Sequence, residues 1–426
     1  MQSWVSEELE TADLGDERLD RRFALLLEAL ARRPALKFPA ACKGRAEVQG
    51  AYRFVNHPRV TFERLLAPHC DATLQRCRLQ PLVLVVQDTS EIDVTRPNEK
   101  MSGSGPLSDD DRLGFFLHPL FAFSGDGLPL GCVHAQLWAR DPDPGGLSAA
   151  QKAQLRKQKS IEQKESFRWV RGYRQACELA RACPDTQVIC LSDSEGDIFE
   201  CFFEALKDEP AGPGAGGVPP RKADWVIRAC EDRALVRGEA QAAPAGRLFE
   251  QVAAGRVLST LTLEVRQRPA QSGDPRRKRK QARSARKARV TVRAARVRLR
   301  EPARPGGKRM ADVAVNAVLV REEDPPAGEE PIEWLLLTNL PIDTLEQVLG
   351  VVAYYCRRWG IELYFKVLKS GCRVEASQLE TAEAFLPYLA LCLAVSWRVM
   401  YLLTLGRECP EMPCDDVLDE DEWQSV

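Results

Sequence analysis

Residues 82–90 read Leu82-Val83-Leu84-Val85-Val86-Gln87-Asp88-Thr89-Ser90. A continuous apolar run of this kind marks a strand buried on both faces, and it delivers an acid, Asp88, to the strand's carboxyl end. A second run, Val188-Ile189-Cys190-Leu191, leads in the same way to Asp193 and on through Ser194-Glu195-Gly196-Asp197 into a predicted helix. Between the two runs, strands are expected at Phe115 to Phe123 and Gly131 to Trp138. The turn-like Ser124-Gly125-Asp126-Gly127 joins them as an antiparallel pair. A charged, helix-prone segment from Leu147 to Cys183 follows. Strands in a hairpin, then a helix, then a strand ending in an acid predict an α/β, ribonuclease-H-like core. A doubly wound nucleotide binder is disfavoured, because the chain has no glycine fingerprint and no phosphate loop.

Upstream, residues 1–75 read as a helical domain. Trp4 to Leu9 enters a turn at Leu14-Gly15-Asp16, and Asp16 is placed to cap an amphipathic run with Leu19, Phe23, Leu26 and Leu30 on its apolar side. Downstream, Glu209 to Pro220 (Glu-Pro-Ala-Gly-Pro-Gly-Ala-Gly-Gly-Val-Pro-Pro) excludes both helix and central strand and reads as a connector. It opens a β-rich insertion at about 205–340, with strands expected at Trp225 to Ala229, Leu258 to Arg266, Val290 to Leu299, Val313 to Val320 and Trp334 to Thr338. The catalytic domain so defined spans 76–375, and 376–426 form a further helical region.

With 426 residues and 44% hydrophobic content the chain can bury more than one core. The net charge of -1 hides an uneven distribution. Thirteen Lys or Arg and no acid lie between Arg276 and Arg300, and eight acids and no base lie between Glu408 and Glu422. The basic run Arg276 to Arg289 is a candidate for tracking backbone phosphates or for a solvated loop. Fourteen cysteines show no Cys-x-x-Cys pair and no Cys/His cluster, which predicts free thiols in a reducing cytoplasm. The apolar run Leu386 to Leu405 carries Pro387 and Arg398 and reads as a buried helix, with no membrane partner implied.

The chemistry concentrates in Tyr355 to Lys369, Tyr-Cys-Arg-Arg-Trp-Gly-Ile-Glu-Leu-Tyr-Phe-Lys-Val-Leu-Lys. As one helix at about 100° per residue, it would gather Tyr355, Arg358, Glu362, Lys366 and Lys369 within roughly 80° of arc. Ile361, Tyr364, Phe365 and Leu368 would then pack on the other side. That face could hold a phosphate beside a metal, or it could be an ordinary solvated face stitched by Glu362 and Lys366. Two strand-end carboxylates and a helical one form a hard, oxygen-rich donor set suited to Mg²⁺ or Mn²⁺, with room for two ions. After the second strand, Glu195 and Asp197 compete with Asp193 for that role.

The spacing Tyr355, Arg358, Glu362, Lys369 resembles the Y-(2)-R-(3)-E-(6)-K signature of bacterial DDE transposases of the insertion-sequence-four type, relatives of transposon five. The blocks Leu14-Gly15-Asp16-Glu17-Arg18-Leu19-Asp20-Arg21-Arg22-Phe23 and Gln49-Gly50-Ala51-Tyr52-Arg53-Phe54 are similar to that family's DNA-end-binding domain. The resemblance implies a metal-dependent cut-and-paste DNA transposase with catalytic acids at Asp88, Asp193 and Glu362. It implies DNA contacts at Tyr355, Arg358, Lys366, Lys369, Arg22, Arg53 and Arg228, and a base-stacking platform at Trp334. Its partners would be double-stranded DNA with terminal inverted repeats, target DNA and a second protomer. The family's C-terminal dimerisation domain runs longer than residues 376–426, so an end-binding remnant or inhibitor is the alternative expectation. A general ribonuclease-H-like nuclease would give no role to the N-terminal blocks.

Overall fold

The computed structural model describes residues 3–96, 100–108, 111–142, 148–207, 221–236, 246–265, 267, 284–303 and 309–418. Five helices open the chain: α1 (Trp4–Glu8), α2 (Glu17–Arg32), α3 (Phe38–Ala41), α4 (Arg45–Val55) and α5 (Phe62–Arg78). Asp16 caps α2 by accepting the Arg18 N–H, and the helix buries Phe23, Leu26, Leu27 and Leu30. Each such side chain, removed from water, contributes roughly 1.5–3 kcal/mol. α4 buries Ala51, Phe54 and Val55 against this stripe. A Cβ at Gly50 would stand 3.0 Å from the Arg22 guanidinium carbon, so glycine there lets the two helices approach.

Five strands follow: β1 (Leu82–Gln87), β2 (Ser90–Asp93), β3 (Gly105–Pro106), β4 (Leu113–Ser124) and β5 (Pro129–Trp138). The long β4 pairs antiparallel with each of the other four. Gly127 takes φ 98° in the predicted turn between β4 and β5. The chain continues through α6 (Ala149–Gln158), α7 (Phe167–Ala182), β6 (Gln187–Ser192), α8 (Phe199–Leu206), β7 (Asp224–Ala229) and α9 (Leu248–Ala253). Next come β8 (Ser259–Val265), β9 (Arg286–Leu299), β10 (Val313–Glu322) and β11 (Glu333–Thr338), and finally α10 (Leu345–Arg357), α11 (Gly360–Lys366) and α12 (Ala382–Glu408). The architecture is thus mixed α/β behind an N-terminal helical region.

The chain divides into two compact units. The first comprises Met1–Gly146, Gln175–Val188 and Trp359–Val426. Its core helix is α12, the one described helix long and apolar enough to cross a membrane, here largely buried. Trp397 of α12 donates Nε1–H to Pro129 O at 3.0 Å, and Tyr364 Oη donates to Leu393 O at 3.1 Å. A buried polar network ties α1 to α5: Glu8 binds His69 Nδ1, and Arg76 Nη1 donates to its other oxygen at 2.8 Å. The Cys132 N–H donates to His69 Nε2 at 3.0 Å, which places the imidazole proton on Nδ1. Arg76 also lies 3.9 Å over the Trp397 ring.

The second unit comprises Leu147–Arg174 and Ile189–Arg358. Here β6 runs parallel to β7, and β7, β11, β10, β9 and β8 follow as antiparallel neighbours. α10 begins with a capping box, Thr344 and Gln347 each binding the other's backbone.

Two expectations change. The stretch Tyr355 to Lys369 is not one α-helix: α10 ends at Arg357, α11 starts at Gly360, and Val367–Gly371 form a π-helical turn. The reason is packing, because α10 buries Val348, Val351, Val352 and Tyr355 in the second unit, while α11 buries Ile361, Tyr364 and Phe365 in the first. Burial differs along the stretch: Tyr355 and Arg358 are only 1% and 5% exposed, whereas Glu362 and Lys366 are exposed. The connector Glu209 to Pro220 and the first part of the basic run, 276–283, lie outside the described residues. The remainder, Arg286 to Arg289, opens β9, where Arg286 forms a buried ion pair with Glu322.

Candidate active site and DNA-contact residues

In the first unit, Asp88 follows β1 directly and is half-buried. Its Oδ1 accepts the Thr89 N–H at 2.8 Å. The Thr89 hydroxyl lies 2.9 Å from His118 Nδ1, and the other nitrogen of this fully buried histidine lies 3.1 Å from Gln87 Oε1. Since Gln87 Oε1 only accepts, Nε2 carries the proton and Nδ1 accepts the Thr89 hydroxyl. The strand end beneath Asp88 is thereby held from both sides.

Glu362 belongs to α11 of the same unit. A Cβ at Gly360 would come 2.5 Å from the Phe123 ring, and Tyr364 packs at a tilt against Phe121 with centroids 4.3 Å apart. Phe123 pairs with Leu84 and Phe121 with Val86, so α11 advances along β4 toward the strand end that bears Asp88. Lys366 is exposed one turn after Glu362. Lys369, in the π-turn, forms an ion pair with Glu375 at 3.5 Å.

In the second unit, the parallel register pairs Ser192 with Ile227, which sets Asp193 level with Arg228. Asp193 caps the short 3-10 turn Ser194–Gly196, its Oδ1 accepting the Glu195 N–H at 2.8 Å. Arg228 Nη2 donates to Ser194 Oγ at 3.0 Å. Arg228 pairs with Leu336, so Trp334, two residues earlier on β11, shares its sheet face. The half-buried Trp334 ring meets Tyr355 edge-on with centroids 5.4 Å apart, and the Arg358 guanidinium lies 5.8 Å from the Tyr355 ring. Burial raises the Tyr355 pKa above its ordinary value, and Asp193 adds to this while Arg228 and Arg358 oppose it. Its buried hydroxyl has no hydrogen-bond partner in bonding geometry among the described residues.

The rivals of Asp193 are otherwise engaged. Asp197, with its side chain fully buried, accepts the N–H groups of Cys230 and Glu231 at 2.8 Å each and pairs with Arg233 at 2.6 Å. Glu195 pairs with Arg168 at 2.8 Å. On the N-terminal helices, Arg22 packs over Gly50, and Arg53 is exposed on α4. Within either unit, no three described His, Cys, Asp or Glu side chains converge on a metal-sized point. Sequence reading passed over His118, Ser194 and Glu375. None falls in a periodic pattern, although Ser194 adjoins a candidate acid.

Residues 1–60 match the family described as transposase DNA-binding, and residues 219–397 match the transposase DDE domain. The chain carries a transposase DNA-binding domain and a transposase DDE domain. The DNA-binding match takes in Arg22 and Arg53, and the DDE match takes in Arg228, Trp334, Tyr355, Arg358, Glu362, Lys366 and Lys369. Asp88 and Asp193 precede the stretch matched to the DDE domain.

Proposed function

We propose that this chain is a cut-and-paste DNA transposase of the insertion-sequence-four type, with a ribonuclease-H-like core and the catalytic acids Asp88, Asp193 and Glu362. The observation that carries the reading is the Asp193 cluster. A carboxylate at a strand end meets two arginines, a tryptophan edge and a buried hydroxyl with no partner in bonding geometry among the described residues, and all of these but the carboxylate lie in the stretch that matches the DDE family. Such a group suits a scissile phosphate and an unstacked base far better than a small neutral metabolite.

DDE transposase domains generally act with divalent metal ions. The donor set fits Mg²⁺ or Mn²⁺, being all carboxylate oxygen with no thiolate or imidazole among the three acids. Asp88, Asp193 and Glu362 would hold one or two such ions, which when bound sharpen a water or 3′-hydroxyl and stabilise the departing oxygen. The protein's other groups position the DNA. Arg358 and Arg228 offer planar forks to phosphate oxygens, Lys366 and Lys369 offer point charges, and Tyr355 offers a hydroxyl. Trp334 provides a stacking face for a base turned out of the helix, and Arg22 and Arg53 bind the element's end.

The reaction is a hydrolytic nick at the end of an element bounded by terminal inverted repeats. The freed 3′-hydroxyl then attacks the opposite strand to close a hairpin, and reopening and strand transfer into target DNA follow, with two protomers holding two ends. The test is end cleavage with Mg²⁺. Asp88→Ala and Glu362→Ala should each abolish cutting while leaving binding of terminal-repeat DNA intact, and undiminished cutting by either variant sinks the assignment.

A further inference from the structure

Three features converge just beyond Lys369. The π-turn Val367–Gly371 closes with the Cys372 N–H donating to Val367 O at 2.7 Å. π-turns re-aim the side chains they carry and recur at functional sites. Arg373 then adopts φ 50° and ψ 37°, the one non-glycine residue with positive φ among those described. That left-handed step reverses the chain into the short 3-10 turn Val374–Ala376 and brings Glu375 back onto Lys369. Glu375 Oε1 stands 3.5 Å from Lys369 Nζ and also accepts the Asp93 N–H at 3.0 Å. Asp93 ends β2, the strand that begins two residues after Asp88. The same loop is laced to this region again, as Arg96 Nη2 donates to Ser377 O and Leu379 O at 2.9 and 2.5 Å.

An acid paired with a phosphate-binding lysine works against affinity, since it cancels charge that the DNA would otherwise meet. Its gain is in aim, because a lysine carries its charge on a flexible four-carbon stem that an ion pair can hold in place. We infer that Glu375 is a positioning residue that anchors Lys369 to the strand following Asp88, trading DNA affinity for correct placement of the ammonium at the reacting phosphate. The inference rests on the reading above that Lys369 meets DNA.

Glu375→Gln separates aim from affinity, because its amide oxygen still accepts the Asp93 N–H while the charge pair is lost. End-DNA binding should be unchanged or tighter, and single-turnover cleavage should fall about tenfold or more, as misplaced groups do. Lys369→Ala should weaken binding and make the slope of log affinity against log salt shallower by about 0.9. The double variant should cleave no worse than Lys369→Ala alone, because the two groups act through one interaction. Melting of Glu375→Gln within the range of the unaltered chain confirms folding, and Glu375→Asp serves if it does not fold. Cleavage by Glu375→Gln at the unaltered rate, or losses that multiply in the double variant, would overturn the inference. Failure of the transposase reading looks different: the unaltered chain would show no preference for terminal-repeat DNA. Salt slopes on any duplex then still judge the pair, a shallower slope for Glu375→Gln counting against it and an unchanged or steeper one supporting it.

Discussion

The polar network around Glu8 and the cluster around Tyr355 are both buried, yet they are completed differently. In the first, both Glu8 oxygens, both His69 nitrogens and the Arg76 guanidinium have protein partners. In the second, a hydroxyl that is 1% exposed has no partner in good hydrogen-bonding geometry among the described residues, although Arg228, Arg358 and Asp193 act on it. Buried polar groups are nearly always satisfied, so closure in the one region and incompleteness in the other separate two roles. A closed network holds helices together; an open one keeps a donor for something that arrives.

The largest effect should come from the acid of the open cluster. Asp193→Ala is expected to reduce DNA end cleavage about 10³-fold or more, the loss of several kcal/mol of transition-state stabilisation, with little change in melting. Asp197→Ala, four residues on, should show the reverse emphasis, strong destabilisation from an uncompensated Arg233, read in a urea titration. If both variants fold well and cut equally poorly, the distinction between the two acids collapses.

In the closed network, Glu8→Ala should cost about 3–5 kcal/mol, because His69 and Arg76 lose a shared buried partner. A shift in the denaturation midpoint worth less than about 1 kcal/mol would mean the network behaves like a surface pair. Tyr355→Phe draws the sharpest contrast with it. Stability should change little, since no described group bonds the hydroxyl in good geometry, while affinity for end DNA falls about tenfold, as expected for one lost hydrogen bond to a charged group. Unchanged affinity would remove Tyr355 from the DNA contacts.

The smallest effect is a pH dependence. Burial pushes the Glu8 carboxyl up, but His69 and Arg76 together hold it below its ordinary value of 4.5. A depressed folded-state pKa contributes stability that is fully present above the ordinary value and is lost as pH falls through the folded one. Unfolding of the native chain should therefore steepen with acid below about pH 4.5, and Glu8→Gln should flatten that limb. Equal acid sensitivity in both would place the linkage in other carboxylates, such as Asp93 beside Arg112.

The strands were legible because β1 and β6 are buried on both faces, while β8 and β9 alternate between buried and exposed side chains. Leu82 to Val86 and Val188 to Leu191 lie within β1 and β6, and the five segments expected in the insertion coincide with β7 to β11 to within a few residues. The cap at Asp16 was equally plain, since a carboxylate ahead of an apolar stripe has one common use. The stretch from Tyr355 to Lys369 misled because periodicity describes one helix against one core. Two consecutive helices that each bury an apolar face keep the apolar pattern of one, so the break at Arg358 and Trp359 leaves no mark in it. Glu375 gave no signal, because what matters about it depends on a left-handed residue and a contact 282 positions away.

By itself the sequence determined which side chains could do chemistry: two acids delivered by apolar runs, a glutamate among cations, arginines on the N-terminal helices. Those are local facts, fixed by composition and spacing. Tertiary structure alone decided how the acids after β6 are engaged. Asp197 lies inside a ring of donors and Asp193 does not, and hydrogen-bond accounting of that kind depends on residues brought together from distant parts of the chain. It also decided that Tyr355 is buried rather than displayed. Burial is a property of what packs against a residue, which no local pattern records.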